Sequence, residues 1–138
     1  LARSLGPRIT VHDPVSQSHL VKTLNTYDIG IHVLPPTSEN NALALPNKFF
    51  DFVQARLGII VGPSPEMACN VKKYGLGWVT DSFEESAIVS VLDSLTPEQV
   101  DTHKRASDDA SAKLSADEQV EVWAEALASI ILANGASR

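Results

Sequence analysis

The residue order predicts an α/β fold, a parallel sheet flanked by helices and followed by a helical C-terminal tail. Three observations carry that expectation. Apolar runs of strand length alternate with amphipathic stretches at helical spacing. Pro, Gly or Ser stands at nearly every junction between them. The run at 29–34 is almost continuous in apolar residues, as a strand covered on both faces is. Strands separated by helices pair in parallel through right-handed crossovers, and ligands of such sheets sit beyond the carboxyl ends of the strands.

The elements follow in order. Residues 9–12 form the first expected strand, ended by Pro14. Ser16 then caps a helix whose apolar face is Leu20, Val21, Leu24 and Tyr27. The strand at 29–34 is broken by Pro35 and Pro36, and a polar stretch, 37–41, leads to Pro46. A proline in the first helical turn loses nothing, because its N–H would be unpaired there. The helix expected at 46–55 carries Phe49, Phe50, Phe52 and Val53, apolar around much of its circumference and therefore buried. A strand at 57–61 ends in Gly62 and Pro63. Ser64, Pro65 and Glu66 open a helix with Met67, Val71 and Tyr74 on one face and Gly75 as its left-handed stop. A short strand occupies 78–80. Capping-box patterns begin at Ser82, Thr96 and Ser115. The first precedes Ile88, Val91, Leu92 and Leu95; the second opens a more polar helix; the third opens a helix with Val120, Trp123, Leu127, Ile130 and Ile131 on one side. The four strands belong to a single domain spanning 1–138.

Composition narrows the function. At 138 residues and 14.9 kDa, with 43% hydrophobic and 20% charged residues, the chain buries a core without disulfides or metal. A net charge of −6 argues against broad capture of nucleic acid or anionic membrane, though not against a local anion site. Cys69 is the single cysteine, which rules out an intrachain disulfide and a thiolate zinc cluster, and its place on an apolar helix reads as packing. The histidines, His12, His19, His32 and His103, are scattered without ligand spacing, so no metal is expected. Ser64 lacks the G-x-S-x-G setting of a nucleophile and reads as a cap. Asp108, Asp109, Asp117, Glu118 and Glu121 read as a solvated face. No signal peptide and no membrane span are expected, which points to a soluble, reducing compartment.

Residues 39–51 are the most informative. A long polar loop delivers the chain to a helix amino end, where free N–H groups and the helix dipole attract phosphate. Lys48 adds a point charge in a position that opposes the dipole, and Asp51, three residues on, shares its face. Two readings stand at this point. The pair is a nucleotide clamp, with a cation for phosphate and a carboxylate for sugar hydroxyls, or it is a surface ion pair on a structural helix.

The run from Leu45 through Pro46, Asn47, Lys48, Phe49, Phe50, Asp51 and Phe52 to Ala55 resembles the "PNK, two apolar residues, acid, aromatic" segment of retaining, glycogen-synthase-like glycosyltransferases of the GT-B fold. Residues 9–15, 27–31, 58–63 and 66–78 resemble the elements that flank this segment in the family, so the likeness spans residues 8 to 95. It implies a partial Rossmann-like, C-terminal donor-binding lobe. In such a lobe Asp51 would hold the ribose hydroxyls, while Asn47, Lys48 and the Leu45–Pro46 backbone would receive the diphosphate. His12 and Asp13, after the first strand, would lie near the base. The partners implied are a UDP- or GDP-sugar donor and an acceptor sugar or lipid bound by an N-terminal lobe, with no metal or other cofactor. The setting implied is cytoplasmic, with the inner face of the membrane reached through that other lobe. Nucleic acid is not among the expected partners. A sugar-nucleotide epimerase of the same fold and a non-catalytic scaffold are the alternatives.

The chain also departs from the pattern. Leu43 stands where many members have a sugar-contacting glutamate, leaving Glu39, Asn40 or Asn41 as candidates for that contact. Asp51 replaces the commoner glutamate, and Arg56 and Gly58 replace the usual Gly-then-Pro. Two βα units, which would supply the central strands and a basic Arg/Lys pair, have no counterpart here. In the order 3-2-1-4-5-6 the strands at 9–12 and 29–34 would be third and fourth and would not touch. The expectation is a piece of a longer enzyme, inactive alone, with open sheet edges that favour self-association.

Overall fold

The computed structural model describes residues 8–38, 41, 43–115, 118, 120, 124–129 and 131. The elements are α1 (Gln17–Leu24), β1 (Ile29–His32), α2 (Asn47–Gln54), β2 (Gly58–Val61), α3 (Pro65–Tyr74), β3 (Gly77–Val79), α4 (Glu85–Ser94) and α5 (Pro97–Ala110). Among the described residues the strands form one parallel sheet in the order β1-β2-β3. Ile29 pairs with Gly58 and His32 with Val61; Ile59 pairs with Gly77 and Val61 with Val79.

The core surrounds β2, whose four residues are all buried. Phe49 and Val53 of α2 pack there with Ile59, Val61, Met67, Val71, Leu76, Ala110 and Leu114. Each large apolar side chain hidden in this way contributes about 1.5–3 kcal/mol. Side-chain bonds then lock the layers. Ser107 Oγ on α5 donates to Leu57 O at 2.7 Å, and Gln54 Nε2 on α2 donates to Ser111 O at 2.7 Å. Asn25 Nδ2, after α1, donates to Ala55 O at 2.8 Å. His103 Nδ1 donates to Gly75 O at 2.6 Å while its ring stands edge-on to Trp78 at 4.4 Å, pinning α5 to the turn between α3 and β3.

Two glycines are dictated by geometry. Gly75 adopts φ 66°, the left-handed stop of α3. At Gly77 a Cβ would lie 2.0 Å from Ile59 O, so only hydrogen fits between β2 and β3. Arg56 takes φ 58° with no glycine to ease it.

Several expectations are corrected. Residues 9–12 form no strand: Ile9 and Val11 are exposed, and no ladder includes them. A short apolar run is held extended only by a neighbour's N–H and C=O groups, and among the described residues none offers them to it. Among the described residues the parallel sheet therefore has three strands rather than the expected four. β1 ends at His32 rather than residue 34. α2 begins at Asn47, leaving Pro46 as an extended N-cap (φ −73°, ψ 152°). Ser82 does not cap α4; it accepts from the Glu84 N–H at 3.2 Å, and Glu84 is the N-cap. The Thr96 box forms in full, with Gln99 N donating to Thr96 Oγ1 (3.3 Å) and Thr96 N to Gln99 Oε1 (3.1 Å). Cys69 is exposed, because the buried stripe of α3 runs through Met67 and Val71 and leaves position 69 on the other side. In the last expected helix Val120, Leu127 and Ile131 are exposed, while Trp123 and Ile130 lie outside the described residues. No helix among the described residues is long and apolar enough to cross a membrane.

Candidate functional site

The carboxyl ends of the strands gather the elements that sequence reasoning singled out. β1 delivers His32 there, β2 leads through Gly62 to Ser64 at the start of α3, and α2 starts after the loop that leaves β1. Gly62 links the adjoining strand ends: its N–H donates to His32 O (3.3 Å) and its carbonyl accepts from Ser64 N–H (2.8 Å). The Phe83 ring lies against Gly62, where a Cβ would meet Cε1 at 2.5 Å. Thr80 Oγ1 is buried beside it and donates to Ser82 O at 2.7 Å.

The amino end of α2 is electrostatically open. No side chain caps it, and no acid stands in its first turn. Phe49 N donates to Pro46 O at 2.9 Å, whereas the N–H groups of Asn47 and Lys48 have no protein acceptor among the described residues. Asn47 and Lys48 are exposed, Pro46 and Asp51 half-buried, and Leu45 packs against the core. The ion pairs among the described residues are Arg56–Asp108 and Lys104–Asp28, both at 2.8 Å; the Lys48–Asp51 surface pair does not form. Burial lowers the pKa of His32 below its ordinary 6.5, and the charge of Lys48 lowers it further. His32 is therefore a neutral imidazole at pH 7, standing within the field of Lys48.

The other expected site residues are placed less centrally. Asn41 folds onto its own loop, donating from Nδ2 to Thr37 Oγ1 (3.1 Å) and from its backbone N–H to Ser38 Oγ (3.2 Å). Glu39 and Asn40 lie outside the described residues. Leu43 presents an apolar side chain to solvent at 63% exposure. His12 and Asp13 are exposed, and His12 Nε2 lies 3.0 Å from Tyr27 Oη, on the chain that enters β1 from its amino end. That contact ties His12 to Tyr27 rather than to Lys48.

Sequence reasoning passed over two residues here. His32 looked like the interior of a six-residue strand; the strand stops at His32 and puts it at the mouth. Ser64 looked like a cap, yet its hydroxyl makes no cap bond and is buried without a partner among the described residues. The signal for both was position at a strand end, which Pro35, Pro36 and Pro63 bracket only loosely. Away from this edge, a groove of about 450 Å³ beside the amino end of β1 is lined by Asp28, Ile29, Leu95, Pro97, Val100 and Asp101. No group of three or more His, Cys, Asp or Glu side chains suited to a metal occurs among the described residues. No family model, curated protein or solved structure matches the chain.

Proposed function

We propose that this chain is the donor-binding lobe of a nucleotide-sugar-dependent glycosyltransferase, with the diphosphate held at the amino end of α2. The observation that carries the reading is that this helix start is uncapped, lacks an acid and bears Lys48. Backbone N–H groups, the helix dipole and a lysine all favour an anion there. Asp51, one turn deeper and unpaired with Lys48, accepts hydrogen bonds from ribose hydroxyls. His32, neutral beside Lys48, adds a hydrogen-bonding ring without repelling a base or sugar.

Within this proposal the chain's residues act on the leaving group. As the bond from sugar to diphosphate breaks, negative charge grows on the departing phosphate oxygen. Fixed N–H dipoles and Lys48 stabilise that charge without reorganising. The acceptor comes from a second lobe, so the lobe alone binds donor and turns over little. The partial Rossmann-like topology, with further strands beside β1, and a cytoplasmic setting belong to the same proposal.

Calorimetric titration tests it. UDP, GDP and uridine are titrated into wild type, Lys48→Ala and Asp51→Asn. Diphosphates should bind and uridine much less. Lys48→Ala should weaken diphosphate binding about tenfold, the scale of one charge-assisted hydrogen bond. Asp51→Asn should weaken UDP binding but leave inorganic pyrophosphate unchanged. Equal binding of UDP by wild type and Lys48→Ala would refute the reading.

A further inference from the structure

Two segments of the chain share one pattern, and each lacks a neighbour. β1 reads Ile29-Gly30-Ile31-His32, and residues Ile9-Thr10-Val11-His12 repeat it closely. β1 is an edge of the sheet. Asp28 O accepts from Gly58 N–H (2.9 Å) and His32 O from Gly62 N–H (3.3 Å), both on the side of β2. Backbone groups alternate along a strand, so Ile29 and Ile31 turn their N–H and C=O groups to the outer edge, where nothing among the described residues meets them. Residues 8–12 make no backbone hydrogen bond among the described residues, and Ile9 and Val11 are 49% and 70% exposed. Within one copy the two segments do not pair. His12 Nε2 lies 3.0 Å from Tyr27 Oη, which holds His12 at the amino end of β1. A parallel strand matched to β1 in pattern brings His12 level with His32, at the carboxyl end.

We propose that residues 8–12 of a second copy add to the outer edge of β1 as a parallel strand, and that the exchange is reciprocal. In the matched register Ile9 lies beside Ile29 and Val11 beside Ile31, so the exposed apolar side chains of both segments fall on one face. Ile29 N–H donates to Arg8 O and Ile31 N–H to Thr10 O, while Thr10 N–H and His12 N–H donate to Ile29 O and Ile31 O. Charge complementarity selects this register. Arg8 stands just before Ile9, as Asp28 stands just before Ile29, so the two come level. The Asp28 side chain is 74% exposed, and Asp101 lines the same groove beside Ile29. Lys104 is the one cation bonded to Asp28 among the described residues, which leaves that end of β1 attractive to a second. A slip of one residue parts Arg8 from Asp28 and turns Ile9 and Val11 to the opposite face. The pairing supplies the strand that the proposed topology places beside β1, and it stands without the diphosphate reading.

Sedimentation equilibrium of the full chain tests it, carried to about 1 mM because a short edge makes a weak pair, and in moderate salt to screen the net charge of −6 on each copy. Wild type should form dimers. Thr10→Pro removes the N–H offered to Ile29 O and should abolish them, with unchanged circular dichroism, because Thr10 makes no hydrogen bond within the chain among the described residues. Arg8→Glu should weaken the pair roughly three- to tenfold, and adding Asp28→Lys should restore it. Cross-linking reads the register, in chains that also carry Cys69→Ser. Val11→Cys mixed with Ile31→Cys should give an oxidised dimer, and Thr10→Cys mixed with Ile31→Cys should not. A monomer at every concentration overturns the proposal. So do dimers that survive Thr10→Pro or ignore Arg8→Glu, and so does equal cross-linking from positions 10 and 11.

Discussion

Replacing Arg56 by glycine and, separately, by alanine isolates a backbone term that contact inspection misses. Arg56 follows α2 at φ 58°, a conformation that costs an L-residue about 1–2 kcal/mol and glycine almost nothing. Its side chain offsets part of that cost. Nε donates to Asp108 Oδ1 at 2.8 Å, and Nη1 donates to Gln54 O. The ion pair is solvent-screened, with side chains 39% and 64% exposed, so it contributes only about 0.2–1 kcal/mol. Both replacements lose these contacts equally, and only glycine relieves the backbone. Glycine gives back about 0.5–1 kcal/mol through the greater freedom of its unfolded chain. The Arg56→Gly variant should therefore be more stable than the Arg56→Ala variant by roughly 0.5–1 kcal/mol, and Arg56→Gly itself should lie within about 1 kcal/mol of wild type. Urea unfolding followed by tryptophan fluorescence measures all three. An alanine variant as stable as the glycine variant would show that φ at this position relaxes freely, and the argument would fail.

Further outcomes follow from the same structure. Gly77→Ala drives a Cβ to 2.0 Å from Ile59 O and should cost about 3 kcal/mol or more, seen as a collapsed thermal midpoint by circular dichroism. Lys48→Met should raise the His32 pKa toward 6.5, read from imidazole proton shifts, since it removes the second cause of the lowering. Because that pKa is lower folded than unfolded, the unfolded chain binds more protons below pH 6.5. The stability from His32 is thus complete above 6.5 and lost as pH falls through its folded value; His32→Gln should flatten that part of the stability–pH curve. The outer edge of β1 has no strand partner among the described residues, and Ile31 there is 45% exposed. Sedimentation should show concentration-dependent association that Ile31→Lys suppresses, a lysine being a common guard of open edges.

What was legible in the sequence was local. The spacing of Met67, Val71 and Tyr74, the proline at position 65 and the glycine at 75 mark α3 from end to end, and the structure keeps those bounds. The Thr96 pattern became a complete capping box because both partners sit within one turn. The strand at 9–12 failed for the opposite reason. A strand is a relation between segments, and apolar composition says nothing of whether a neighbour stands alongside. Arg56 shows a second blind spot. Left-handed backbone is written plainly when glycine marks it, as at Gly75, and not at all when the tertiary context imposes it on an arginine. In the candidate site Lys48 and Asp51 were visible as residue types at helical spacing, but their failure to pair with each other is a matter of geometry. His32 and Ser64 needed the strand ends located to within a residue.

The distribution of helix caps bears on where this chain meets a ligand. α5 begins beside the amino end of β1, where Thr96 and Pro97 share a groove with Asp28 and Ile29, and its first N–H groups are satisfied by a full box. α2, α3 and α4 all begin on the carboxyl side of the strands, and none has a side-chain cap bond. Unpaired amides cost free energy wherever water is scarce, and evolution has cheap remedies, since one Ser, Thr or Asp per helix suffices. Ser64 occupies such a position and still does not cap. Three starts without a side-chain cap bond lie along one edge, with Lys48 in the first turn of α2, Glu66 in that of α3 and Glu85 in that of α4. The acids of α3 and α4 follow the ordinary preference of a helix amino end for negative charge, and the lysine of α2 is the departure from it. The diphosphate proposed for the amino end of α2 accounts for that departure, and comparing diphosphate binding by wild type and Lys48→Ala separates a ligand-directed lysine from a merely solvated one.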